Sequence, residues 1–161
     1  MPLLLARIDD RLIHGQVVHG WGSSLRPTWM GIVSDVLRAD PARAGLYLFA
    51  APEGTRAEAL SIQETLSDAT RRTIEAERSI LLFPGVEEPL RLKQGGFPLT
   101  EVNVGGLHHA PGKVALFPYV YLDERDKEAL RALAALGVGL VAQDLPSNPS
   151  HRLEPLLEGA V

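Results

Sequence analysis

The sequence predicts an α/β fold: a single open, mostly parallel sheet with helices on both faces. Short apolar runs such as Ser79 to Phe83 (SILLF) read as strands buried on both sides, and they alternate with segments of helical period. Frequent breakers, 12 Pro and 15 Gly in 161 residues, keep each element short. The length suits one domain over residues 1–161, with a peripheral tail from about 146 to 161.

Leu3 to Ile8 reads as the first strand, closed by Asp9-Asp10-Arg11. Gln16 to Trp21 starts a helix, with Val17, Val18 and Trp21 on its inner side. Thr28 to Val33 is a second buried strand, ended by Ser34-Asp35, and Asp40 to Phe49 is a helix with Pro41 in its first turn. Arg56 to Leu60 fits strand and helix equally. Ser61-Ile62-Gln63-Glu64 has the form of a capping box, and its helix is expected to run to about Glu75. Ser79 to Phe83 is the clearest strand. Pro84-Gly85 stops it, and Val86 to Gln94 is a short helix before Gly95-Gly96. Thr100 to Val104 is a strand running into Gly105-Gly106. Tyr119 to Leu122 favours strand and leads to Asp123, an N-cap for the helix Glu124 to Leu136. Ala129, Leu130, Leu133 and Leu136 form the apolar face of that helix. Gly137 ends it, Val138 to Ala142 is a last strand, and a short helix is expected near Leu153 to Leu157.

Composition excludes several classes of chemistry. Sixteen Lys plus Arg against 20 Asp plus Glu give a net charge of −4, which argues against nucleic acid as a partner. With no cysteine there is no thiolate catalysis, disulfide scaffold, iron–sulfur cluster or cysteine-ligated zinc. No apolar run approaches a membrane span and the start lacks the features of a signal peptide, so a cytoplasmic location is expected.

In an open parallel sheet, ligands bind beyond the carboxyl ends of the strands, so the loops 9–16, 34–35, 84–85, 105–113 and 123 are where a site is expected. The first of these stands out. Between a strand and a helix it gathers Arg7, Asp9, Asp10, Arg11, His14, Gly15 and Gln16. A carboxylate on one ring nitrogen would orient His14 and leave the other nitrogen to react. Arg11 would neutralise an anion on that ring, Gly15 would let the backbone come close, and free amides at the helix start favour negative charge. These are the parts of a histidine that receives and passes on a phosphoryl group, a reaction governed by positioning and charge stabilisation.

The run Leu5 to Val18 (LARIDDRLIHGQVV), followed by Trp21, resembles the opening signature of the phosphotransferase-system EIIB components of the mannose/fructose/sorbose family. The resemblance continues at Val33-Ser34-Asp35, Leu81-Leu82-Phe83, Val102 to Gly106, Gly112-Lys113 and Asp123 to Gly137, in order over most of the chain. It implies a phosphotransferase without metal or organic cofactor. His14 would accept a phosphoryl group from a phosphohistidine of an EIIA component, on Nδ1, and pass it to a sugar delivered by membrane EIIC and EIID components. The protein would associate transiently with the inner face of the membrane. The resemblance matches Arg11 to the basic residue beside the phosphate and Asp9 and Asp10 to the acidic pair that orders the loop. It also implies one antiparallel strand in the sheet.

The residues themselves leave alternatives open. Asp9 or Asp10 fits equally as a loop cap or as the partner of Arg7. Arg11, three residues from His14, is favoured over Arg7 as the phosphate partner because Arg7 still belongs to the strand. Asn103, Gly105 and Gly106 fit both as the border of the site and as a tight turn, and Ser34 and Asp35 are candidates for support. His19, His108-His109 and the apolar run Val114 to Phe117 stand apart from the family pattern.

Other functions fit less well. A metal site built from His14, His19, His108 and His109 has no recognised ligand spacing, and Gly106 to Lys113 fails as a nucleotide loop, with five residues between its glycines and Val114 after Lys113. A regulatory or binding protein with the EIIB fold that no longer transfers phosphate to a sugar is the remaining alternative. No feature counts the subunits of a homo-oligomer.

Overall fold

A computed structural model describes residues 3–157. Seven strands form one sheet in the order β3-β2-β4-β1-β5-β8-β9. They are β1 (Leu3–Asp9), β2 (Trp29–Val33), β3 (Arg56–Leu60), β4 (Ser79–Phe83), β5 (Glu101–Gly106), β8 (Gly139–Ala142) and β9 (His151–Arg152). Every pairing is parallel except β8 with β9. A separate antiparallel hairpin joins β6 (Val114–Phe117) to β7 (Val120–Leu122).

Period-two alternation divides the side chains between two layers. From β4, Leu81 and Phe83 enter one core and Ile80 and Leu82 the other. The first core is closed by Ile62 of α4 (Ile62–Thr65), Ile74 of α5 (Asp68–Ala76), Leu92 of α6 (Glu87–Gln94), and Leu130 and Leu133 of α7 (Glu124–Ala135). The second is closed by Val17 from a π-helical segment (Gln16–Gly22), Leu37 of α2 (Asp35–Arg38) and Ala44 of α3 (Pro41–Leu48). One α-helical turn, α1 (Ser23–Leu25), continues the π segment.

Capping chemistry sets most helix starts. Asp40 accepts from the Arg43 amide ahead of Pro41, and Asp123 and Asp126 exchange side-chain and backbone bonds in a capping box. Gly137 closes α7 at φ 88°, a left-handed conformation that suits glycine.

Several expectations need correction. The helix expected from Ser61 to about Glu75 is two helices. Ser61 caps α4 as predicted, but Ser67 accepts from the Thr70 amide and caps a second start, while its hydroxyl donates to the Glu64 carbonyl at 2.6 Å. A serine that satisfies the backbone on both sides favours a break over continuation. The ambiguous segment 56–60 is a strand, held by parallel pairing along β2. The helix after the first loop is π-wound, a geometry common near functional sites. The sequence pattern does not predict the β6 and β9 strands. The tail adds β9 at the edge of the sheet and the short helix expected near Leu153 to Leu157, α8 (Glu154–Leu157), with Leu153 and Leu157 buried; its last four residues lie outside the described residues.

Because Leu82 is fully buried in the middle strand of three, Leu82→Ala is expected to cost about 2–5 kcal/mol in denaturant unfolding. A loss below ~1 kcal/mol would mean that the second layer is not close-packed.

Candidate active site

At the carboxyl end of the sheet, β1 leads to strands on one side and β5 to β8 on the other. This divergence of the chain opens a crevice between adjacent strand ends. Arg7 is paired with Asn103 and Asp9 with Gly106 in the β1–β5 register. Alternation therefore puts Arg7, Asp9, Asn103 and Gly105 on one face of the sheet at this crevice.

Arg7 is completely buried. Its Nε and one terminal nitrogen donate to Asp9 Oδ2 at 3.3 and 3.2 Å. The remaining donors reach Asn103 Oδ1 at 2.6 Å and the carbonyls of Gln143 and Asp144 at 2.8 and 2.9 Å. A guanidinium has five N–H groups, so every donor of Arg7 is taken. The Trp21 ring lies 5.3 Å from its Cζ, and the indole N–H donates to the Asp144 carbonyl at 2.9 Å.

Asp9, also fully buried, is the centre of this arrangement. Its Oδ1 accepts from the Arg11 amide at 3.1 Å, and its Oδ2 lies 3.0 Å from His14 Nε2. Burial pushes the Asp9 carboxyl up, but the hydrogen bond to His14 and the charge of Arg7 outweigh it and hold the group below the usual aspartate range. An ionised carboxylate only accepts hydrogen bonds, so His14 Nε2 carries the proton. In the neutral ring the lone pair then sits on Nδ1. The His14 side chain is 19% exposed, enough for a reagent to reach it.

Gly105 and Gly106 are the last two residues of β5 and lie against Arg7 and Asp9, in the strand and not in a tight turn. A Cβ on Gly105 would land within the Arg7 guanidinium, and one on Gly106 would come within 2.9 Å of Asp9 Oδ1. Asn103 is likewise a direct partner of Arg7. The open question about the aspartates is also answered by geometry: Asp9 pairs with Arg7 and His14, whereas Asp10 turns to the loop after β5. There Asp10 accepts from the His108 amide at 2.7 Å and faces His108 Nδ1 at 2.5 Å.

Residues 3–160 match the family of PTS system sorbose subfamily IIB components. The chain belongs to that family. It is 35% identical over 157 residues to the mannose-specific EIIAB component of Escherichia coli K12, covering 98% of this chain and 49% of that protein. The chain thus spans about half the length of that first group of relatives. It is 34% identical over 150 residues to the sorbose-specific EIIB component of Lacticaseibacillus casei, with 93% and 92% coverage. The solved IIBSor domain of the sorbose permease from Klebsiella pneumoniae superposes with a TM-score of 0.90 at 32% identity, covering 100% of this chain and 99% of that one.

Within this IIB fold the other candidate residues fall into two groups. Arg11 is exposed, and among the described residues its side chain makes no hydrogen bond or ion pair. Gly15 and Gln16 are exposed at the start of the π segment, and a Cβ on Gly15 would touch nothing within 4 Å. Both border a groove of about 790 Å³ shared with His19, Ser23, Ser24 and Pro146. Ser34 and Asp35 stand apart from the cluster. Ser34 caps α2, and Asp35 accepts from the Ile62 amide and pairs with Arg91.

Residue-level reading of the sequence missed Trp21, Gln143 and Asp144 as parts of the site. The rule that names residues just after a strand reaches Gln143 and Asp144 once it is applied to β8. Among the described residues, no three His, Asp or Glu side chains gather in a way that could hold a metal ion. Leu12, buried at φ 56°, holds a strained turn between Asp9 and His14.

Two outcomes are expected. Arg7→Ala leaves the buried Asp9 charge without its main partner and should cost about 3–5 kcal/mol in chemical denaturation; unchanged stability would mean the pair does not hold the loop. The depressed carboxyl of Asp9 contributes stability that is fully present above the ordinary aspartate value of 3.8 and is lost as pH falls through its lower folded value. Asp9→Asn should therefore flatten the acid limb of the stability–pH curve, measured by thermal unfolding between pH 2 and 6 (roughly the titration range of a depressed carboxyl).

Proposed function

We propose that the chain works as the EIIB phosphocarrier of a sugar phosphotransferase system, with His14 as the residue that carries the phosphoryl group. The observation that supports this most directly is the 3.0 Å contact between His14 Nε2 and Asp9, which leaves Nδ1 as the nucleophile. The Nδ1 lone pair attacks phosphorus of a phosphohistidine on the EIIA donor. The donor N–P bond breaks, and its electron pair returns to the donor imidazole. The His14 ring, now substituted on Nδ1 and protonated on Nε2, becomes positive, and the Asp9 carboxylate stabilises it. In the second transfer the N–P bond breaks and its pair returns to Nδ1 as the oxygen of a sugar hydroxyl takes the phosphoryl group and the hydroxyl proton passes to water.

Arg11 is the cation assigned to the phosphoryl oxygens. Arg7 has no donor to offer, while the Arg11 side chain is exposed two residues after Asp9. Asp9 fixes the Arg11 backbone through its amide, so the same carboxylate orders nucleophile and cation together. The family implies an EIIA donor and membrane EIIC and EIID acceptors as partners, and a protein that works at the cytoplasmic face of the membrane. No helix among the described residues is long and apolar enough to cross a membrane.

Phosphoenolpyruvate, enzyme I, HPr and a family EIIA, mixed with the protein, should produce an acid-labile mass increase of one phosphoryl group on His14. His14→Ala should abolish it without unfolding the chain. Arg11→Ala should slow transfer, by about ten- to a hundredfold if its charge is applied mainly in the transition state. Labelling of the His14 variant at the wild-type rate would overturn the proposal, and normal transfer by the Arg11 variant would remove Arg11 from the mechanism.

A further inference from the structure

Asp9 and Asp10 are consecutive carboxylates at the mouth of a site read here as receiving a dianionic group, and the protein treats them differently. Asp9 is buried and matched by Arg7 and by the His14 N–H. Asp10 is about one-third exposed, and among the described residues its one partner able to carry positive charge is the His108 ring. Of the cations in the first loop, β1 and the β5–β6 loop, Arg7 uses all its donors inside the site, Lys113 is bound to Asp126 at 2.9 Å, and the Arg11 side chain makes no ion pair among the described residues.

The two loops are joined at three points. The Asp10 amide donates to the Gly106 carbonyl at 2.9 Å, the His108 amide donates to Asp10 Oδ2 at 2.7 Å, and His108 Nδ1 meets Oδ1 at 2.5 Å. The carboxylate accepts at both oxygens, so the proton on Nδ1 is the donor, and Nε2 has no hydrogen-bond partner among the described residues. The His108 side chain is 38% exposed. The loop after β5 is itself fixed, because Leu107 exchanges backbone bonds with Tyr119 and Tyr121 of the β6–β7 hairpin. His109, the next residue, turns away to an edge-on contact with the Tyr121 ring.

We propose that His108 is a positioning residue for phosphoryl acceptance: it holds Asp10 against the β5–β6 loop and, when its ring carries both protons, cancels the Asp10 charge that would otherwise repel the incoming group. With both ring protons the Asp10–His108 pair is neutral. With one it is a net anion next to the loop that holds His14. Removing the imidazole therefore leaves an uncompensated carboxylate at the entrance and takes away one of the three joints, while the two backbone N–H bonds remain.

This inference rests on the reading of His14 as phosphoryl acceptor, and the experiment separates the two. Initial rates of phosphorylation by phosphorylated EIIA are measured for wild type, His108→Ala, His108→Gln, His108→Lys, Asp10→Asn and the double variant Asp10→Asn/His108→Ala, each checked for folding by thermal unfolding. If the wild type accepts no phosphoryl group, the reading of His14 fails. Given acceptance, His108→Ala should slow it roughly tenfold, about 1.4 kcal/mol, and raise the concentration of donor at half-maximal rate. His108→Lys should recover more of the rate than His108→Gln, and Asp10→Asn should suppress the defect of His108→Ala in the double variant. Equal rates for wild type and His108→Ala, or a double variant slower than His108→Ala, would overturn the charge role while leaving His14 in place.

Discussion

The carboxyl edge of the sheet depends on one buried ion pair. Arg7 and Asp9 are both withdrawn from water, and a buried charge pair is tolerated only when the remaining hydrogen-bonding capacity is met. Asn103, the carbonyls of Gln143 and Asp144, the Trp21 ring and the His14 imidazole together meet it. Those groups come from β5, the loop after β8, the π segment and the first loop. A pair that recruits partners from so many segments ties the end of the sheet into one unit.

That requirement explains residues whose side chains do no chemistry. Gly105 and Gly106 leave the volume that the guanidinium and carboxylate occupy. Trp21 covers the cation and is hydrogen-bonded to the same Asp144 carbonyl. Leu12 accepts a left-handed backbone while its side chain is buried in the second core, so the turn from Asp9 to His14 is held by packing. In physical terms the loop is preorganised: the cost of arranging it is met on folding, before any partner arrives.

Two arginines four residues apart illustrate the division of labour in a IIB domain. Arg7 is structural because the protein takes every donor it has. Arg11 remains at the surface, where an exposed guanidinium is at hand for an external anion. The two aspartates divide in the same way. Asp9, the last residue of β1, faces inward to the pair, and Asp10, in the turn beyond the strand, faces the neighbouring loop, so each fixes a different histidine by a different ring nitrogen.

By itself the sequence determined the alternation of short strands and helices, most caps, and the concentration of reactive groups in residues 7–16. These are local properties, set by apolar period, by breakers and by side chains that bond their own backbone. It also carried the family resemblance, because the RIDDRLIHGQ run is long and specific. The tertiary structure alone decided which carboxylate meets His14, that Arg7 and not Arg11 is consumed inside the protein, and that Gln143, Asp144 and Trp21 complete the site. It also decided that 56–60 is a strand and that the segment after His14 is π-wound. The 56–60 strand depends on its pairing with β2, and the consumption of Arg7 and the completion of the site depend on contacts between residues up to 137 positions apart. No local period encodes such pairings; they arise only when the sheet brings β1, β5 and β8 side by side.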